Sequence, residues 1–388
     1  MREKKLKICL ICLYIDNKIT GACKRWIQLI KHFATLDNCS IVILTTAKGV
    51  RILSESFHGI TKTAQNSSIS FEQIKYRNAE SLIKRWHVSL ILLFSLRKFQ
   101  DYLVICDYWP SPLIFQNNIH HWQLIHDTRK YKYARKFKWS KLSALTFFNY
   151  LLIKLLKRVI TVSRSSAFEL KGLNTNVKLL VSYNGINLES KSMFSERIIR
   201  KNKYLDKNIV RVIYIATSEM RKNHDYFRSI VSASKGLNFH FTLVLNDLHS
   251  GQELQKYNEF ITNNTIKNLD ILSKISESTL RQKLTESHIY ITPSWYEGFG
   301  MPIIEALVNG CQIICNDIPV HHEVGGQWAT YDKCDNPEYT LSLIKALANK
   351  RRSENEIDEI YKYLNQFYSW HIIAQKLLQD MSQELYSA

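Results

Sequence analysis

The feature that most constrains this chain is a glycine-containing turn between two apolar segments. The segment His288–Ile291 has the composition of a buried strand, and Pro302 opens a second segment in the way proline opens a helix. Gly298 and Gly300 fall where strand would become helix, and without Cβ atoms they let the backbone approach a ligand closely. The free N–H groups at a helix start suit a phosphate. The turn therefore predicts an α/β unit with an anion site at a strand–helix junction.

Two carboxylates flank this turn. Glu297 precedes the first glycine, and Glu305 lies within the predicted helix, with seven residues between them. Because one is on the loop and the other on the helix, both side chains can face one pocket. The alternative is an ordinary glycine turn with two solvated glutamates, which a lone turn of this kind would favour.

The stretch 293–306 resembles the donor-site motif of the family 4 glycosyltransferases, Glu-Gly-Phe-Gly-x-Pro-x-x-Glu-Ala, and the resemblance continues through residues 309–310 and 317–326. It implies an α/β protein of the GT-B fold, in which two Rossmann-like domains with parallel sheets face each other across a cleft. It also implies a C-terminal helix that packs back on the first domain, and a retaining transfer of sugar from a nucleotide-sugar donor.

The resemblance also implies roles for single residues. Lys222 would hold the donor diphosphate, Glu297 and His126 would hold the sugar, and Glu305 would accept the ribose hydroxyls. The implied catalytic residues are therefore Glu297, Lys222 and His126. The implied donor-binding residues are Arg221, Gly298, Phe299, Gly300, Met301, Glu305, Gly21 and Ile275.

Some of these positions have a second interpretation. Family members often carry two glycines at the first strand–helix turn, where this chain has Gly21 alone, and some carry an arginine where it has Ala216. Neutralisation of the phosphates would then depend more heavily on Lys222. His126, at the end of a predicted strand, could equally be a structural histidine, and the loop around Ile275 could be any strand-to-helix loop.

Neither a metal nor a bound cofactor is expected. The sequence has no Asp-x-Asp motif and no Cys/His pair with zinc spacing, and Lys222 can supply the charge that a cation would bring. Most of the eight cysteines lie in apolar segments. This pattern predicts buried thiols and a cytoplasmic compartment.

The length and the alternation of segments predict two domains. A chain of 388 residues is long enough to build two hydrophobic cores. Apolar strands alternate with amphipathic helices, which favours α/β organisation. We expect an acceptor-binding domain at 1–188, a polar linker at 189–208, a nucleotide-sugar-binding domain at 209–367 and the returning helix at 368–388.

The positive charge is concentrated in the first half. Residues 1–190 hold 30 Lys and Arg against 11 Asp and Glu, whereas residues 191–388 hold 23 of each. The densest stretch, 129–141, has seven basic and four aromatic residues and no acid, and an apolar helix is predicted at 142–158. This region could be a core helix with a solvated basic lead-in, a collar at an anionic membrane surface, or a nucleic-acid groove.

The favoured hypothesis is a hexosyltransferase that uses a nucleotide-sugar donor and a glycan or polyprenyl-pyrophosphate-linked acceptor in envelope polysaccharide or lipopolysaccharide biosynthesis. Such an enzyme would be cytoplasmic and peripheral at the inner face of the membrane, with anionic lipid as a partner and no nucleic acid. The alternatives are a non-catalytic basic α/β protein that binds a membrane surface or nucleic acid, and a GT-B enzyme other than a transferase, such as an epimerase or a phosphorylase.

Overall fold

The computed structural model describes residues 6–13, 21–35, 39–57, 68–74, 82–118, 120–129, 151–205, 208–245 and 250–386. The chain forms two compact units, Met1–Gly185 together with Phe367–Ala388, and Ile186–Gln366. In the described part of the chain, each unit contains one sheet, with seven strands in the first and six in the second.

The sheet of the first unit is parallel throughout and has the order β3-β2-β1-β4-β5-β6-β7. Its strands are β1 (Leu6–Ile11), β2 (Cys39–Thr45), β3 (Ser68–Gln73), β4 (Leu103–Cys106), β5 (His121–Ile125), β6 (Arg158–Thr161) and β7 (Lys178–Val181). The inner strands are almost continuously apolar because helices cover both of their faces. The central strand β1 ends at Ile11.

Two layers cover this sheet. Among the described residues before the domain boundary, the helices of the first unit are α1 (Gly21–Ala34), α2 (Ala47–Phe57), α3 (Leu82–Ser95) and α4 (Arg164–Leu173). Helices α3 and α4 share one hydrophobic core with Cys9 and Ile11 of β1, and the 3-10 turns Pro112–Phe115 and Leu152–Leu155 belong to the same core. Since side chains alternate along a strand, the neighbouring residues of β1 point to the opposite face.

The sheet of the second unit is also parallel and has the order β10-β9-β8-β11-β12-β13. Its strands are β8 (Val210–Ala216), β9 (Phe239–Leu245), β10 (Leu269–Ser273), β11 (Ile289–Thr292), β12 (Gln312–Asn316) and β13 (Ala329–Asp332). Its helices are α5 (Lys191–Tyr204), α6 (His224–Ala233), α7 (Ser250–Asn264), α8 (Glu277–Glu286), α9 (Met301–Val308), α10 (Pro319–Gly325), α11 (Pro337–Ala348) and α12 (Glu354–Tyr368).

Helix α5 occupies most of the segment that the sequence predicts to be a linker. The Ser190 hydroxyl caps its N-terminus by accepting from the backbone N–H of Met193. Phe194 and Ile198, four residues apart, are buried on one side of it, and Lys201 is buried with them. The polar composition of 189–208 therefore reflects an amphipathic helix with a narrow apolar stripe rather than an extended linker.

The last helix, α13 (Trp370–Tyr386), belongs to the first unit and contacts α1. Gly185 lies beneath it, and a Cβ atom built there would be 2.7 Å from Cδ2 of Trp370. The guanidinium of Arg25 on α1 lies 5.9 Å from the Trp370 ring centroid. The C-terminal segment is thus packed into the first unit by close contacts with α1 and the residues after β7.

All eight cysteines are buried free thiols, as the sequence predicts. Within the described ranges, no helix is long and apolar enough to cross a membrane.

Candidate active site

The candidate site lies where the strand order of the second sheet reverses. Strands β8 and β11 are hydrogen-bonded neighbours, although three helices and two strands separate them in the sequence. The connections that leave their carboxyl ends diverge to the two sides of the sheet, and such a switch point leaves a crevice in which α/β proteins bind ligands. Residues 217–223 leave β8 at this point and residues 293–300 leave β11. The two halves of the predicted donor site therefore meet at one crevice.

The loop after β8 is held in a fixed shape. Met220–Lys222 forms a 3-10 turn, and Asn223 has the left-handed backbone angles φ 56° and ψ 50° before α6 begins. The Tyr214 hydroxyl donates to the Lys222 carbonyl oxygen. The backbone N–H of Trp295 donates to the Arg221 carbonyl oxygen at 2.8 Å. The two loops are thus joined by a main-chain hydrogen bond, which fixes the basic residues against the glutamate loop.

Three charged side chains form the centre of the site. Lys222 Nζ lies 2.5 Å from Glu297 Oε1, and Arg221 Nη1 lies 2.5 Å from Glu297 Oε2. Arg221 Nη1 also donates to the Tyr296 carbonyl oxygen at 2.9 Å. The three side chains are 8 to 12% exposed. Each carboxylate oxygen of Glu297 therefore forms an ion pair with one basic side chain that is largely buried.

This arrangement keeps Glu297 ionised. Burial alone would raise the pKa of Glu297, but the charges of Lys222 and Arg221 bring that pKa down to about 2. Burial lowers the pKa of Lys222, against the opposing attraction of Glu297. For Arg221, the effect of burial is outweighed by Glu297 and Glu219, so its pKa is raised. Lys222, Arg221 and Glu297 therefore form a buried ion triad.

Glu219 is a member of this network that the sequence analysis did not identify. Its Oε2 accepts from Arg221 Nε at 2.9 Å and from Thr217 Oγ1 at 3.2 Å. Glu219 is the N-cap residue of the 3-10 turn, with extended backbone angles, and Arg221 is the second residue of that turn. A carboxylate two residues before an arginine is common in sequences, so no pattern in the chain singles it out.

The glutamate loop ends at the predicted glycine turn. Gly300 has φ 95° and ψ 44° and is the N-cap of α9, which has Pro302 in its first turn. A residue with a Cβ is strained in this backbone region, so the turn needs glycine. Phe299 is buried, whereas Gly298 and Met301 are partly exposed, and Glu305 is partly exposed on α9. The first turn of α9 thus begins three residues beyond Gly298.

His321 on α10 is a second residue whose role the sequence analysis missed, although it lies within the motif that extends the resemblance. Its Nδ1 donates to the Asn316 carbonyl oxygen at 2.8 Å, and its buried Nε2 has no hydrogen-bond partner. Burial lowers the pKa of His321 to about 4, so the ring is neutral near pH 7. Its Cδ2 lies 3.8 Å from the position of a Cβ built on Gly300. A neutral imidazole therefore packs behind the glycine turn.

The remaining predicted residues lie elsewhere. Ile275 follows β10, two strands away from β8 in the second sheet, and is half-buried. Gly21 begins α1, and His126 follows β5, so both belong to the first unit. The buried Nε2 of His126 has no hydrogen-bond partner, and burial with the nearby charge of Arg25 lowers the pKa of His126 to about 3. The basic stretch 130–141 lies outside the described residues.

Among the residues described, no group of three or more His, Cys, Asp or Glu side chains is placed to hold a metal ion.

The second unit matches a known family. Residues 195–363 match the sequence model described as Glycosyl transferases group 1. This range contains the whole ion triad and the glycine turn.

A curated relative and two solved structures extend the comparison. The chain is 26% identical over 281 residues to the O-antigen chain mannosyltransferase RfbU of Salmonella typhimurium, which covers 70% of this chain and 71% of that protein. Its fold is similar to that of sucrose-phosphate synthase from Thermosynechococcus elongatus, with TM-score 0.73, 15% identity, and coverage of 99% of this chain and 100% of the other. It is also similar to Anabaena HepE in complex with UDP and glucose, with TM-score 0.64, 14% identity, and coverage of 97% and 100%.

Three observations agree with one another. They are the match to the group 1 glycosyl transferases, the two Rossmann-like units with parallel sheets, and the position of the basic residues at the switch point. Together they support a glycosyltransferase of GT-B architecture.

Proposed function

We propose that this protein is a retaining glycosyltransferase of family 4, which moves a hexose-type sugar from a nucleotide-diphosphate sugar to a glycan or lipid-linked acceptor. The observation that supports this most directly is the contact of Glu297 with both Lys222 and Arg221 in the crevice of the second sheet. Two neighbouring cations, Lys222 and Arg221, offer charged hydrogen-bond donors to a diphosphate. They lie where nucleotides bind in such sheets.

The donor diphosphate would take the place that Glu297 occupies between the two cations. Phosphate oxygens would accept hydrogen bonds from Lys222 and Arg221 as the carboxylate of Glu297 does. Binding of the nucleotide-sugar would therefore replace the ion pairs with Glu297 by ion pairs with the diphosphate. Glu297, released from these contacts, would accept hydrogen bonds from the sugar hydroxyls. The free N–H groups at the start of α9 add a favourable dipole. Glu305 would accept the ribose hydroxyls, and Ile275 would lie beside the base.

The chemistry would be electrostatic. The acceptor hydroxyl attacks the anomeric carbon from the side of the leaving group, the bond from that carbon to the phosphate oxygen breaks, and the hydroxyl proton passes to the departing oxygen. Lys222 and Arg221 stabilise the negative charge that develops on the diphosphate. No protein nucleophile and no metal is needed in this scheme. The family resemblance also implies that Gly21 and His126 of the first unit take part in donor binding, and this role stays a prediction.

An envelope polysaccharide or lipopolysaccharide pathway is the setting we favour. The relative from Salmonella carries the name O-antigen chain mannosyltransferase. The excess of positive charge in residues 1–190 suits an acceptor with a polyprenyl pyrophosphate and an anionic lipid surface around it. We therefore place the protein in the cytoplasm, peripheral at the inner face of the membrane.

A transfer assay with product analysis tests this proposal. The protein is incubated with UDP- and GDP-linked hexoses, including GDP-mannose, and with lipid-linked oligosaccharide acceptors, and the product is examined by proton NMR. We expect the new glycosidic bond to keep the anomeric configuration of the donor. An inverted anomeric signal would contradict the retaining assignment, and the absence of transfer with every donor and acceptor would favour a non-catalytic role.

A further inference from the structure

The exposed apolar side chains of the first unit are unevenly distributed. Among the described part of residues 6–185, the large hydrophobic side chains that are exposed all lie in the layer formed by α3, the two 3-10 turns and α4. They are Leu90, Phe94, Phe115, Leu155 and Phe168, with exposed fractions from 47% to 82%. None of them lies on α1 or α2. We call this set the apolar surface.

The four elements are neighbours. Helix α3 contacts the turn Pro112–Phe115, that turn contacts Leu152–Leu155, and the latter contacts α4. Their inward residues share the hydrophobic core on one face of the sheet. The exposed residues therefore lie on the outer side of a single layer, which faces away from that sheet.

Helix α3 shows the contrast between its two sides. Val88 and Leu92 are fully buried against the sheet, whereas Leu90 and Phe94, also four residues apart, are exposed. A helix that only covers a sheet would carry polar residues on its outer side. The Trp86 ring lies 6.4 Å from the Phe115 ring, so aromatic groups of two elements meet at the apolar surface.

The same layer is basic. The segment Leu82–Phe99 contains Lys84, Arg85, Arg97 and Lys98 and no acid, although Lys98 pairs with Glu72 of β3 at 2.5 Å. The four elements with the turn 96–99 hold seven basic residues and one acidic residue. The Arg97 guanidinium lies 5.1 Å from the Phe94 ring centroid, which places a charge directly beside an exposed aromatic group. Helices that lie in the interface of an anionic bilayer carry Lys and Arg along one side and Trp, Phe and Leu along the other. Helix α3 has this composition, with Lys84 and Arg85 beside an apolar side formed by Trp86, Leu90 and Phe94.

We propose that the apolar surface docks on an anionic lipid bilayer, with α3 lying along the membrane interface. Helix α3 has 14 residues and is therefore about 21 Å long. This is shorter than the roughly 30 Å of a bilayer's hydrocarbon core, so α3 would lie on the surface. This inference rests on the proposed lipid-linked acceptor for its biological setting, although the surface is defined by its own residues.

Vesicle co-sedimentation of the full-length protein tests the docking. Phosphatidylcholine vesicles with and without about 30% phosphatidylglycerol are compared at low salt and at 1 M salt, where the Debye length falls to roughly 3 Å. We expect binding to the anionic vesicles that weakens at high salt. In the variant Leu90→Ser with Phe94→Ser, we expect affinity to fall about tenfold or more, because two exposed apolar groups no longer enter the bilayer.

Two matched controls separate this surface from general effects. Met193→Ser with Tyr204→Ser removes exposed apolar groups from α5 in the second unit, and Lys235→Gln with Lys267→Gln removes exposed charges there. Both controls should bind as the native protein does, whereas Lys84→Gln with Arg97→Gln should bind anionic vesicles more weakly. Equal loss in the controls, or native binding by the Leu90/Phe94 variant, would overturn the proposal.

The outcomes distinguish this proposal from the proposed function. Thermal stabilisation by nucleotide-sugars, measured without lipid, should be the same in the Leu90/Phe94 variant as in the native protein. If no nucleotide-sugar binds but the variant loses vesicle binding, the function fails and the docking surface stands. If the variant changes the oligomeric state in sedimentation velocity and leaves vesicle binding intact, the surface is an interface between two copies and the membrane proposal is wrong.

Discussion

At the scale of single residues, the site depends on the balance of charge around Glu297. Its two carboxylate oxygens form ion pairs with Lys222 and Arg221, and all three side chains are largely buried. Removing one member of a buried ion pair leaves an uncompensated charge, which typically costs several kcal/mol. The same residues would therefore contribute to stability without ligand and to charge stabilisation during transfer.

Replacing Glu297 with glutamine should impair transfer strongly. The amide keeps the size of the side chain but removes the charge that pairs with the two cations. In the proposed site, it also removes the carboxylate that would accept hydrogen bonds from the sugar hydroxyls. We expect the barrier to rise by roughly 2–4 kcal/mol, as when one preorganised group is removed from an active site. The measurement is kcat with the best donor, on protein shown by circular dichroism to be folded. Glu338→Gln, at an exposed glutamate of the same unit, should turn over normally. Native turnover in Glu297→Gln would remove this residue from the site.

The acid Asp107, at the end of β4 in the first unit, should make stability depend on pH. Burial raises the pKa of Asp107 to about 7, partly offset by the hydrogen bond from Trp26 Nε1 at 2.5 Å. A carboxyl with a raised pKa in the folded state stabilises the fold at low pH, and this contribution is lost as pH rises toward 7. The free energy of unfolding should thus fall relative to Asp107→Asn by about 3 kcal/mol between pH 5 and pH 8.

Urea denaturation of both proteins at the two pH values provides the comparison. Asp101→Asn, at an exposed position of the same unit, should follow the native protein. A difference between native and Asp107→Asn that stays constant with pH would show that Asp107 is ionised throughout.

At the scale of elements, the segments with strong patterns were predictable, and those with mixed patterns were not. Strand β11 and helix α9 around the glycine turn follow from the sequence because an apolar run, two glycines and Pro302 agree with each other. Helix α5 was missed because only a few of its residues, such as Phe194 and Ile198, are buried.

For the candidate site, the family resemblance predicts that Lys222, Arg221 and Glu297 surround the donor. The structure brings these three side chains together, and their role in donor binding stays a prediction. Residue spacing does not predict the contacts of Glu219 and His321. Glu219 contacts Arg221 within the loop after β8, and His321 on α10 packs near Gly300. The membrane role of 129–141 stays a prediction.

The packing of α13 in the first unit should depend on the missing side chain of Gly185. A Cβ there would lie 2.7 Å from Cδ2 of Trp370 and 3.0 Å from Cδ1 of Ile373, closer than such atoms approach. Gly185→Ala should therefore displace the helix and destabilise the protein by about 1–3 kcal/mol. Gly172→Ala is the control, since a Cβ at Gly172 meets nothing within 4 Å. Equal melting temperatures for the two variants would show that α13 does not pack against Gly185 as described.

At the scale of the whole molecule, charge and chemistry are divided between the halves of the chain. The predicted donor site lies in the second unit, whose part of the chain is electrically balanced, and residues 1–190 hold the positive charge. The first unit adds a layer with exposed apolar and basic residues. We infer that the triad alone recognises the donor. The positive electrostatic potential of residues 1–190 would attract the proposed acceptor and an anionic membrane surface.

We infer that the triad of Lys222, Arg221 and Glu297 binds a nucleotide-sugar. The most direct measurement is a thermal-shift titration with UDP- and GDP-linked hexoses, using the native protein, Lys222→Ala and the exposed control Lys235→Ala. A ligand at about 100 times its Kd adds roughly 2.7 kcal/mol to the stability of the form that binds it, which corresponds to about 5 °C or more. We predict such a shift for at least one donor in the native protein and in Lys235→Ala, and its loss in Lys222→Ala. A shift of the same size in Lys222→Ala, or no shift with any nucleotide-sugar, would contradict the account.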